Sequence, residues 1–357
     1  MAGWSVMGAK NAWTSQVDWH TGRWQARGPA PSPRPWQPPL RRGVLPKRPL
    51  TFFEVLDSGF RLLRFVPGPA IGAPLIVFTL WTLLLTAALT AATIAFLPFL
   101  DDLGGNDDAL TGFSTLAQAG SFILSLLSLG LAHLLSGIVA VAAQASFGAR
   151  RTNLRECWTQ LRGRRWRLVL ASALVTAVDL VLLVLFGLPS ILLALVDSPV
   201  LAVVLALGAL GLWICATVWL NLRLAFLGAA IAIEGLGVRA GLRRTWTLTA
   251  RGFWRTFGQL ALGYLLSNQL VQLIISPLLI ILSVLAFVVI STSGADAVVL
   301  GTVGIVAGGV VLALTTVSQA VLFGYFSCLV SVCYFDSRMR AEGFDLELIR
   351  REEVSAA

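Results

Sequence analysis

Residues 162–188 read RGRRWRLVLASALVTAVDLVLLVLFGL, a cluster of four arginines and a tryptophan followed by an apolar run with one carboxylate, Asp179. A helix of about 20 apolar residues is long enough to cross the ~30 Å hydrocarbon core of a bilayer. Arginines beside such a run mark the end that stays in the cytoplasm. The stretch therefore predicts a transmembrane helix that begins at the cytoplasmic surface.

The composition of the whole chain agrees with this interpretation. Of the 357 residues, 57% are hydrophobic and 13% are charged, which is more apolar surface than a soluble core can hide from water. The net charge of +9 comes from basic residues beside apolar runs, where topology and anionic lipid explain it better than nucleic acid. The sequence therefore indicates an integral membrane protein and argues against a nucleic-acid partner.

Apolar runs long enough to span a bilayer occur six times. They cover residues 71–96, 121–143, 168–188, 200–222, 257–290 and 297–329. The fifth run contains Pro277, but no polar turn flanks this proline, so we predict one tilted or bent span rather than two. The sequence thus predicts an all-α protein with six membrane-spanning helices.

The distribution of basic residues predicts the orientation of these spans. The segments before span one, between spans two and three, between spans four and five, and after span six hold 10, 7, 6 and 4 Lys and Arg, which is all 27 of them. The alternate loops, at about 97–120, 189–199 and 291–296, hold none and carry aspartates. Because basic loops stay inside, we expect both termini in the cytoplasm of a bacterial cell, and the protein in its plasma membrane.

Three amphipathic stretches precede pairs of spans. They are residues 51–64, 153–167 and 237–255, and each places apolar side chains on one helical face. The second and third end in Trp166-Arg167 and Trp254-Arg255, residue types that anchor helix ends at lipid headgroups. We therefore predict three interfacial helices and a threefold repeat, each unit an interfacial helix followed by two spans.

The chain also divides into three regions by composition. Residues 1–47 are rich in proline and tryptophan with no apolar period, which predicts a disordered cytoplasmic arm. Residues 48–349 are the six-helix membrane domain, and residues 350–357 are a short charged cytoplasmic tail. The first residues have no signal-peptide pattern, so the first span is expected to direct insertion.

Three motifs resemble a known family. The stretches RGVLPKRPLTFFEVLDSGFRLLR (42–64), EGLGVRAGLRRTWTLTARGFWR (234–255) and YFDSRMRAEGFDLEL (334–348) are similar to uncharacterised, mostly actinobacterial multi-pass membrane proteins. That family resembles the membrane domain of glycerophosphoryl diester phosphodiesterases. The resemblance covers about residues 42–350 and implies a plasma-membrane protein with a variable N-terminal arm, but it implies no catalytic residue and no substrate.

Catalytic motifs are missing from the sequence. It has no phosphate loop, no GxSxG elbow and no HExxH metal pair. A phosphodiesterase needs a soluble domain with acidic and histidine groups, whereas this chain has two histidines, His20 and His133. We therefore predict a protein that is not an enzyme and has no metal site and no cofactor.

Polar residues inside the spans form the candidate site. They are Asp179, Asn268, Gln272, His133 and Gln319. Asp179 and Asn268 lie 12 and 13 residues beyond Arg167 and Arg255, about 18–20 Å along a helix, so they could meet near mid-membrane. The residues favour two interpretations of Asp179, a proton or cation site and a carboxyl that holds helices together, with its charge left open.

Two functional hypotheses follow from these residues. The first is a non-enzymatic scaffold or accessory component of envelope or lipid-related assembly, with anionic headgroups on the cytoplasmic side as partners. The second is a small-solute or proton-coupled transporter that uses the polar site around Asp179. A GxxxG step at Gly304 and Gly308 indicates close helix packing. Whether the chain binds a protein partner or forms a homo-oligomer is left open by the sequence.

Overall fold

The computed structural model describes residues 43–103, 128–194, 199–292 and 297–356, and every regular element in these ranges is helical. Six helices are long and apolar enough to cross a membrane, which confirms the predicted all-α, six-span fold. In chain order the helices are α1 (Phe52–Phe65), α2 (Ala73–Leu103), α3 (Ser128–Ser146), α4 (Leu154–Gln160), α5 (Arg165–Ala194), α6 (Pro199–Leu224), α7 (Leu227–Glu234), α8 (Val238–Ala250), α9 (Phe253–Thr292), α10 (Ala297–Glu342) and α11 (Phe344–Ala356).

Short helices occur at all three places where amphipathic stretches were predicted. These are α1, α4 and α8, and each precedes two of the six long helices. Helix α4 ends at Gln160, and a turn separates it from α5, so the second short helix is about half as long as the predicted stretch 153–167. Helix α7 was not predicted as a separate element. It continues the fourth span beyond a break at Ala225 and Phe226.

Helix α10 extends much further than its predicted span, whereas α9 is only six residues longer than predicted. Helix α9 has 40 residues and passes through Pro277 without interruption, so the prediction of one span rather than two is correct. Helix α10 has 46 residues and ends at Glu342, 13 residues beyond the predicted end of span six. At ~1.5 Å per residue these helices are about 60 and 70 Å long, roughly twice the hydrocarbon thickness.

The core lies at one end of the helix bundle. This is the end at which α2, α5 and α9 begin and α3, α7 and α10 terminate, and we call it the arginine-bearing end. Buried apolar side chains there come mainly from α3, α7 and the C-terminal half of α10, and α1 and α8 pack around them. The extra length of α10 is therefore explained by burial in protein, a property that hydropathy along the chain does not report.

Helix α7 is almost completely enclosed by its neighbours. Residues 227–232 are buried, and Gly228 packs so closely on α3 that a Cβ there would lie 1.8 Å from the His133 carbonyl oxygen. Gly137 faces the same crossing, where a Cβ would lie 3.0 Å from the Gly228 carbonyl oxygen. Only glycine allows two helix backbones to approach this closely.

The opposite halves of the long helices present apolar side chains outward. Leu273, Phe287 and Ile305 are each more than two-thirds exposed. Gly304 and Gly308, predicted as a packing step, face open space: a Cβ added at either position would have no atom of the described chain within 4 Å. Such a surface needs an apolar solvent, as a bilayer provides.

Several predictions concern residues outside the described ranges. Most of the predicted N-terminal arm lies there, as do residues 121–127 of the predicted second span and most of the three acidic loops. Of the arm, residues 43–47 are described: Leu45 is buried, and the Val44 amide donates to the Ser146 carbonyl oxygen over 3.1 Å. At the other end of the chain, α11 continues through the predicted tail to Ala356.

Candidate functional site

A polar array connects three of the long helices through Asn221. The Asn221 amide nitrogen on α6 donates to both carboxylate oxygens of Asp179 on α5, over 2.9 and 3.1 Å. The same nitrogen donates to the Thr217 carbonyl oxygen over 3.0 Å. Its side chain also interacts with the imidazole of His133 on α3.

A cavity of about 250 Å³ lies beside this array, between α3, α6, α9 and α10. Most of its lining is apolar, with Phe257 and Tyr264 of α9 opposite Phe323 and Phe326 of α10. Its polar groups are the side chains of His133, Thr217 and Asn221 and the hydroxyl of Tyr264. Asp179 does not line the cavity and is only 1% exposed, so Asn221 separates the carboxyl group from this space.

The partner of Asp179 lies close to an arginine on α6. Asp179 bonds to Asn221, which is two residues before Arg223 and ~3 Å from it along the helix. The same two spans are joined further along by Arg164, just before α5, which donates to the Ala232 carbonyl oxygen of α7 over 2.6 Å. Asp179 therefore lies at the level of Arg223, 12 residues along the chain from Arg167.

The other predicted site residues do not join Asp179 and His133. Gln272 and Gln319 are exposed on α9 and α10, and Asn268 is half-buried. Within the described ranges, none of these three side chains makes a hydrogen bond, and none lines the cavity. The expected meeting of Asp179 with Asn268 is therefore wrong, and Asn221 takes that place.

Asn221 and Thr217 are the site residues that sequence reasoning missed. Asn221 was set aside because it lies next to Arg223, near the end of an apolar run. The available signal was their spacing: four residues separate Thr217 from Asn221, so both lie on one helical face. The Thr217 hydroxyl is buried and has no hydrogen-bond partner among the described residues.

The predicted interfacial anchors divide into two kinds of side chain. Trp166 and Trp254 project from the protein and are 83% and 78% exposed. The arginines beside them bond to protein: Arg167 donates to the Gly235 carbonyl oxygen over 2.9 Å, and Arg255 donates to the Leu50 carbonyl oxygen. The indole rings are thus free to contact headgroups, whereas both guanidinium groups hold chain segments together.

Acidic residues at the arginine-bearing end form a compact ion-pair network. Arg244 of α8 donates from Nε to both Glu234 carboxylate oxygens, over 3.0 and 2.9 Å, and also pairs with Glu342. Arg338 bonds to Glu342 over 3.1 Å, and the Tyr334 hydroxyl donates to Glu234 over 2.7 Å. The carboxylates of Glu342 and Glu234 raise the pKa of Arg244 above its ordinary value. The network ties α7, α8 and α10 together.

A second cluster forms around the buried carboxylate of Asp336. It accepts from the Leu50 amide over 2.7 Å and from Arg340 Nε over 3.0 Å. Arg255 Nη2 lies 3.4 Å from its second oxygen. Arg255 and Arg340 both donate to the Leu50 carbonyl oxygen. The cluster therefore holds the segment before α1 against α9 and α10.

Other arginines have no carboxylate partner among the described residues. Seven of these are exposed and make no side-chain hydrogen bond within the described chain: Arg64, Arg151, Arg155, Arg162, Arg239, Arg243 and Arg350. Four of the seven lie on α4, on the turn after it and on α8, and we call these four the free arginine set: Arg155, Arg162, Arg239 and Arg243. The segments that carry them are neighbours, because Arg164 and Arg167 bond to residues 232–235, just before α8 begins. Acid pairing thus leaves uncompensated positive charge on α4, α8 and the turn after α4.

Arg223 is enclosed by aromatic rings instead of carboxylates. Its guanidinium carbon lies 5.7, 5.1 and 5.0 Å from the ring centres of Trp219, Trp246 and Phe253. Its Nε and Nη1 are buried without a hydrogen-bond partner in the described part of the chain. Cation–π attraction stabilises a guanidinium in such a place. This contact joins the ends of α6, α8 and α9.

The four cysteines lie within the described ranges and form no disulfide there. Cys157, Cys328 and Cys333 are buried, Cys215 is exposed, and all four are free. Burial raises the pKa of the Cys157 thiol, which lowers its reactivity. No group of three or more His, Cys, Asp or Glu side chains within the described ranges could hold a metal ion.

Comparison with known proteins gives no match to this chain among protein-family models, curated protein sequences or solved structures.

Proposed function

We propose that this chain is a non-enzymatic, multi-pass component of envelope or lipid-related assembly that holds anionic lipid at its arginine-bearing end. The free arginine set is the observation that carries the proposal. These side chains are exposed, have no carboxylate partner in the described chain, and share that end with the exposed indoles of Trp166 and Trp254. Each arginine near an anionic surface contributes about 1 kcal/mol to binding.

The proposal includes an orientation. The arginine-bearing end faces the cytoplasm of a bacterial cell, so both termini lie on the cytoplasmic side of the plasma membrane. The supporting observation is the one-sided distribution of basic residues along the chain. The likeness of residues 42–350 to the actinobacterial membrane family stays a prediction and agrees with this location.

Lipid retention tests the proposal directly. The intact protein is extracted from nanodiscs of equal phosphatidylglycerol and phosphatidylethanolamine, and the retained lipids are counted by native mass spectrometry. We expect an excess of phosphatidylglycerol that falls when all four free arginines are replaced by glutamine, and that persists when they are replaced by lysine. The matched control is Arg61→Gln with Arg150→Gln, since both side chains are exposed but paired with acids. An unaltered protein without excess phosphatidylglycerol would contradict the proposal.

Cysteine accessibility tests the orientation. Ser291 near the end of α9 and Arg239 on α8 are exposed at opposite ends of the bundle. In a variant with the exposed Cys215 replaced by alanine, Ser291→Cys should react with an impermeant maleimide in intact cells. Arg239→Cys should react only after the cells are opened. The reverse pattern would mean that the arginine-bearing end faces outward.

A second candidate function is a small-solute or proton-coupled transporter. The array Asp179–Asn221–His133 favours it, because the array runs from a buried carboxyl to a residue that lines the cavity. Transport predicts a proton or solute flux in vesicles that Asp179→Asn abolishes without unfolding the protein. If the unaltered protein gives no flux across a substrate panel, this candidate should be abandoned.

A further inference from the structure

The cavity between α3, α6, α9 and α10 is larger than packing requires. Protein interiors leave few voids bigger than a water molecule, and an apolar cavity of ~150 Å³ already binds benzene. This cavity measures about 250 Å³ and is lined mostly by apolar and aromatic side chains. An empty space of this kind lowers stability in proportion to its volume. An apolar occupant would remove that loss.

The mouth of the cavity faces the apolar outer surface of the bundle. Val218 of α6 and Tyr264 of α9 line the cavity and are 46% and 43% exposed, so the opening lies between these helices. On the same two helices, Ile214 and Leu265 are exposed as well. In a bilayer, this surface contacts lipid chains rather than water. An occupant therefore enters sideways from the membrane.

The inner wall of the cavity carries hydrogen-bonding groups. The His133 imidazole and the Thr217 side chain are both at least nine-tenths buried, and the Thr217 hydroxyl has no partner among the described residues. A buried polar group without a partner is unfavourable, so the wall is suited to a ligand that can both donate and accept. The occupant thus has a polar head at this wall and an apolar chain directed to the mouth.

Charge selects the kind of head group. The Asp179 carboxyl lies directly behind Asn221, at 2.9 Å from its amide nitrogen. Arg223, two residues further along α6, is surrounded by three aromatic rings and bonds to none of the described acidic side chains. An anionic head at the His133 wall would find no Lys or Arg among the described residues that line the cavity, whereas a hydroxyl needs no counter-charge.

We propose that this cavity binds one single-chain lipid with an uncharged hydroxyl head, such as a monoacylglycerol or a long-chain alcohol. The hydroxyl bonds at the wall of His133 and Thr217, and the chain leaves between Val218 and Tyr264. This binding is separate from the retention of anionic lipid at the free arginine set. Either property can fail without the other.

Photolabelling of the intact protein tests the proposal. The probe is hexadecanol with a diazirine on its chain, applied to the protein in phosphatidylcholine nanodiscs, and labelled peptides are located by mass spectrometry. We expect saturable labelling of peptides that contain the cavity-lining parts of α6 and α9. Unlabelled hexadecanol and monooleoylglycerol should compete, while hexadecane and oleate should compete at least tenfold less well.

Two variants report on the cavity and its polar wall. Ala261→Phe places a ring in the cavity and should abolish saturable labelling, whereas Leu212→Phe on the exposed face of α6 should not. Thr217→Val keeps the side-chain shape but removes the hydroxyl, so hexadecanol should bind roughly 5- to 10-fold more weakly with hexadecane unchanged. The competition series uses the unaltered protein, so its result does not depend on whether a variant folds.

Three results would overturn the proposal. The first is labelling that does not saturate and spreads over all exposed helix faces. The second is oleate competing as well as hexadecanol, which would reject the uncharged head. The third is full labelling of a folded Ala261→Phe protein, which would place the lipid elsewhere.

Discussion

Asn221 on α6 holds the carboxyl of Asp179 on α5 by a single amide group that reaches both carboxylate oxygens, at 2.9 and 3.1 Å. This contact replaces the expected pairing of Asp179 with Asn268. It joins two neighbouring long helices at the level of Arg223 and leaves Asp179 without contact to the cavity. The carboxyl thus bridges α5 and α6, and this contact gives the first prediction.

Replacing Asn221 by leucine should destabilise the protein because Asp179 then stays buried without its partner. We expect a loss of about 1–3 kcal/mol in the free energy of unfolding. The double variant with Asp179→Leu should regain most of this loss, since removing both polar groups leaves nothing unsatisfied. Denaturant titration in detergent micelles measures the cycle. If Asn221→Leu and the double variant lose equal free energy of unfolding, the contact has no structural role.

The crossing of α3 and α7 predicts a strong effect of one methyl group. Gly228→Ala would place a Cβ 1.8 Å from the His133 carbonyl oxygen, a backbone atom that cannot rotate away. Overpacking of this kind costs about 1–3 kcal/mol. Gly304→Ala is the matched control, because its Cβ would meet no described atom within 4 Å, and alanine favours a helix. Thermal unfolding should separate the two variants, and similar midpoints would contradict the close crossing of these helices.

Arg244 should contribute more to stability than an arginine in an exposed ion pair. Its side chain is 26% exposed and pairs with Glu234 and Glu342. Arg244→Met therefore removes a cationic partner from both carboxylates. We expect a loss of about 1–3 kcal/mol. Arg61→Met is the control, since Arg61 is 60% exposed and pairs with Asp57 on the surface, where the loss should stay below about 0.5 kcal/mol. A smaller effect at Arg244 than at Arg61 would refute the network.

The start of α1 should respond to acid through Glu54. A side-chain hydrogen bond from Arg48, with a further bond from the Thr51 amide, lowers the pKa of Glu54 from 4.5 to about 2. Because the folded-state pKa is the lower one, the stabilisation is complete above pH 4.5 and is lost as the pH falls towards 2.

Thermal unfolding of the unaltered protein and of Glu54→Gln across this pH range measures the effect. The difference between their midpoints should be constant from pH 7 to about pH 5 and should shrink below that. A difference that stays the same down to about pH 2.5 would show that the carboxylate form of Glu54 has no special role at the start of α1.

The six-span fold could be predicted because it depends on local features. Apolar runs set the long helices, and the Trp-Arg pairs Trp166-Arg167 and Trp254-Arg255 mark where α5 and α9 begin. Pro277 was interpreted correctly because no polar turn flanks it. These judgements need only neighbouring residues.

The site could be predicted only in part, because it depends on how helices are offset. Asp179 and His133 were recognised as costly polar residues inside apolar runs. Their partner Asn221 was missed because it lies next to Arg223, near the end of an apolar run. The pairing of Arg244 with Glu234 and Glu342 likewise depends on the burial of α7, which no periodicity along the chain reveals.

The enclosure of α7 has a consequence for how the protein is made. Translation produces α7 before α8 and α10, yet α10 covers it, with Phe226 next to Tyr334 at 6.0 Å between ring centres. Until the last long helix has been synthesised and inserted, this small apolar helix lacks its final cover. Assembly of the arginine-bearing end is therefore a late event, and a ribosome that stalls within α10 leaves a chain whose membrane insertion is largely complete but whose core is open.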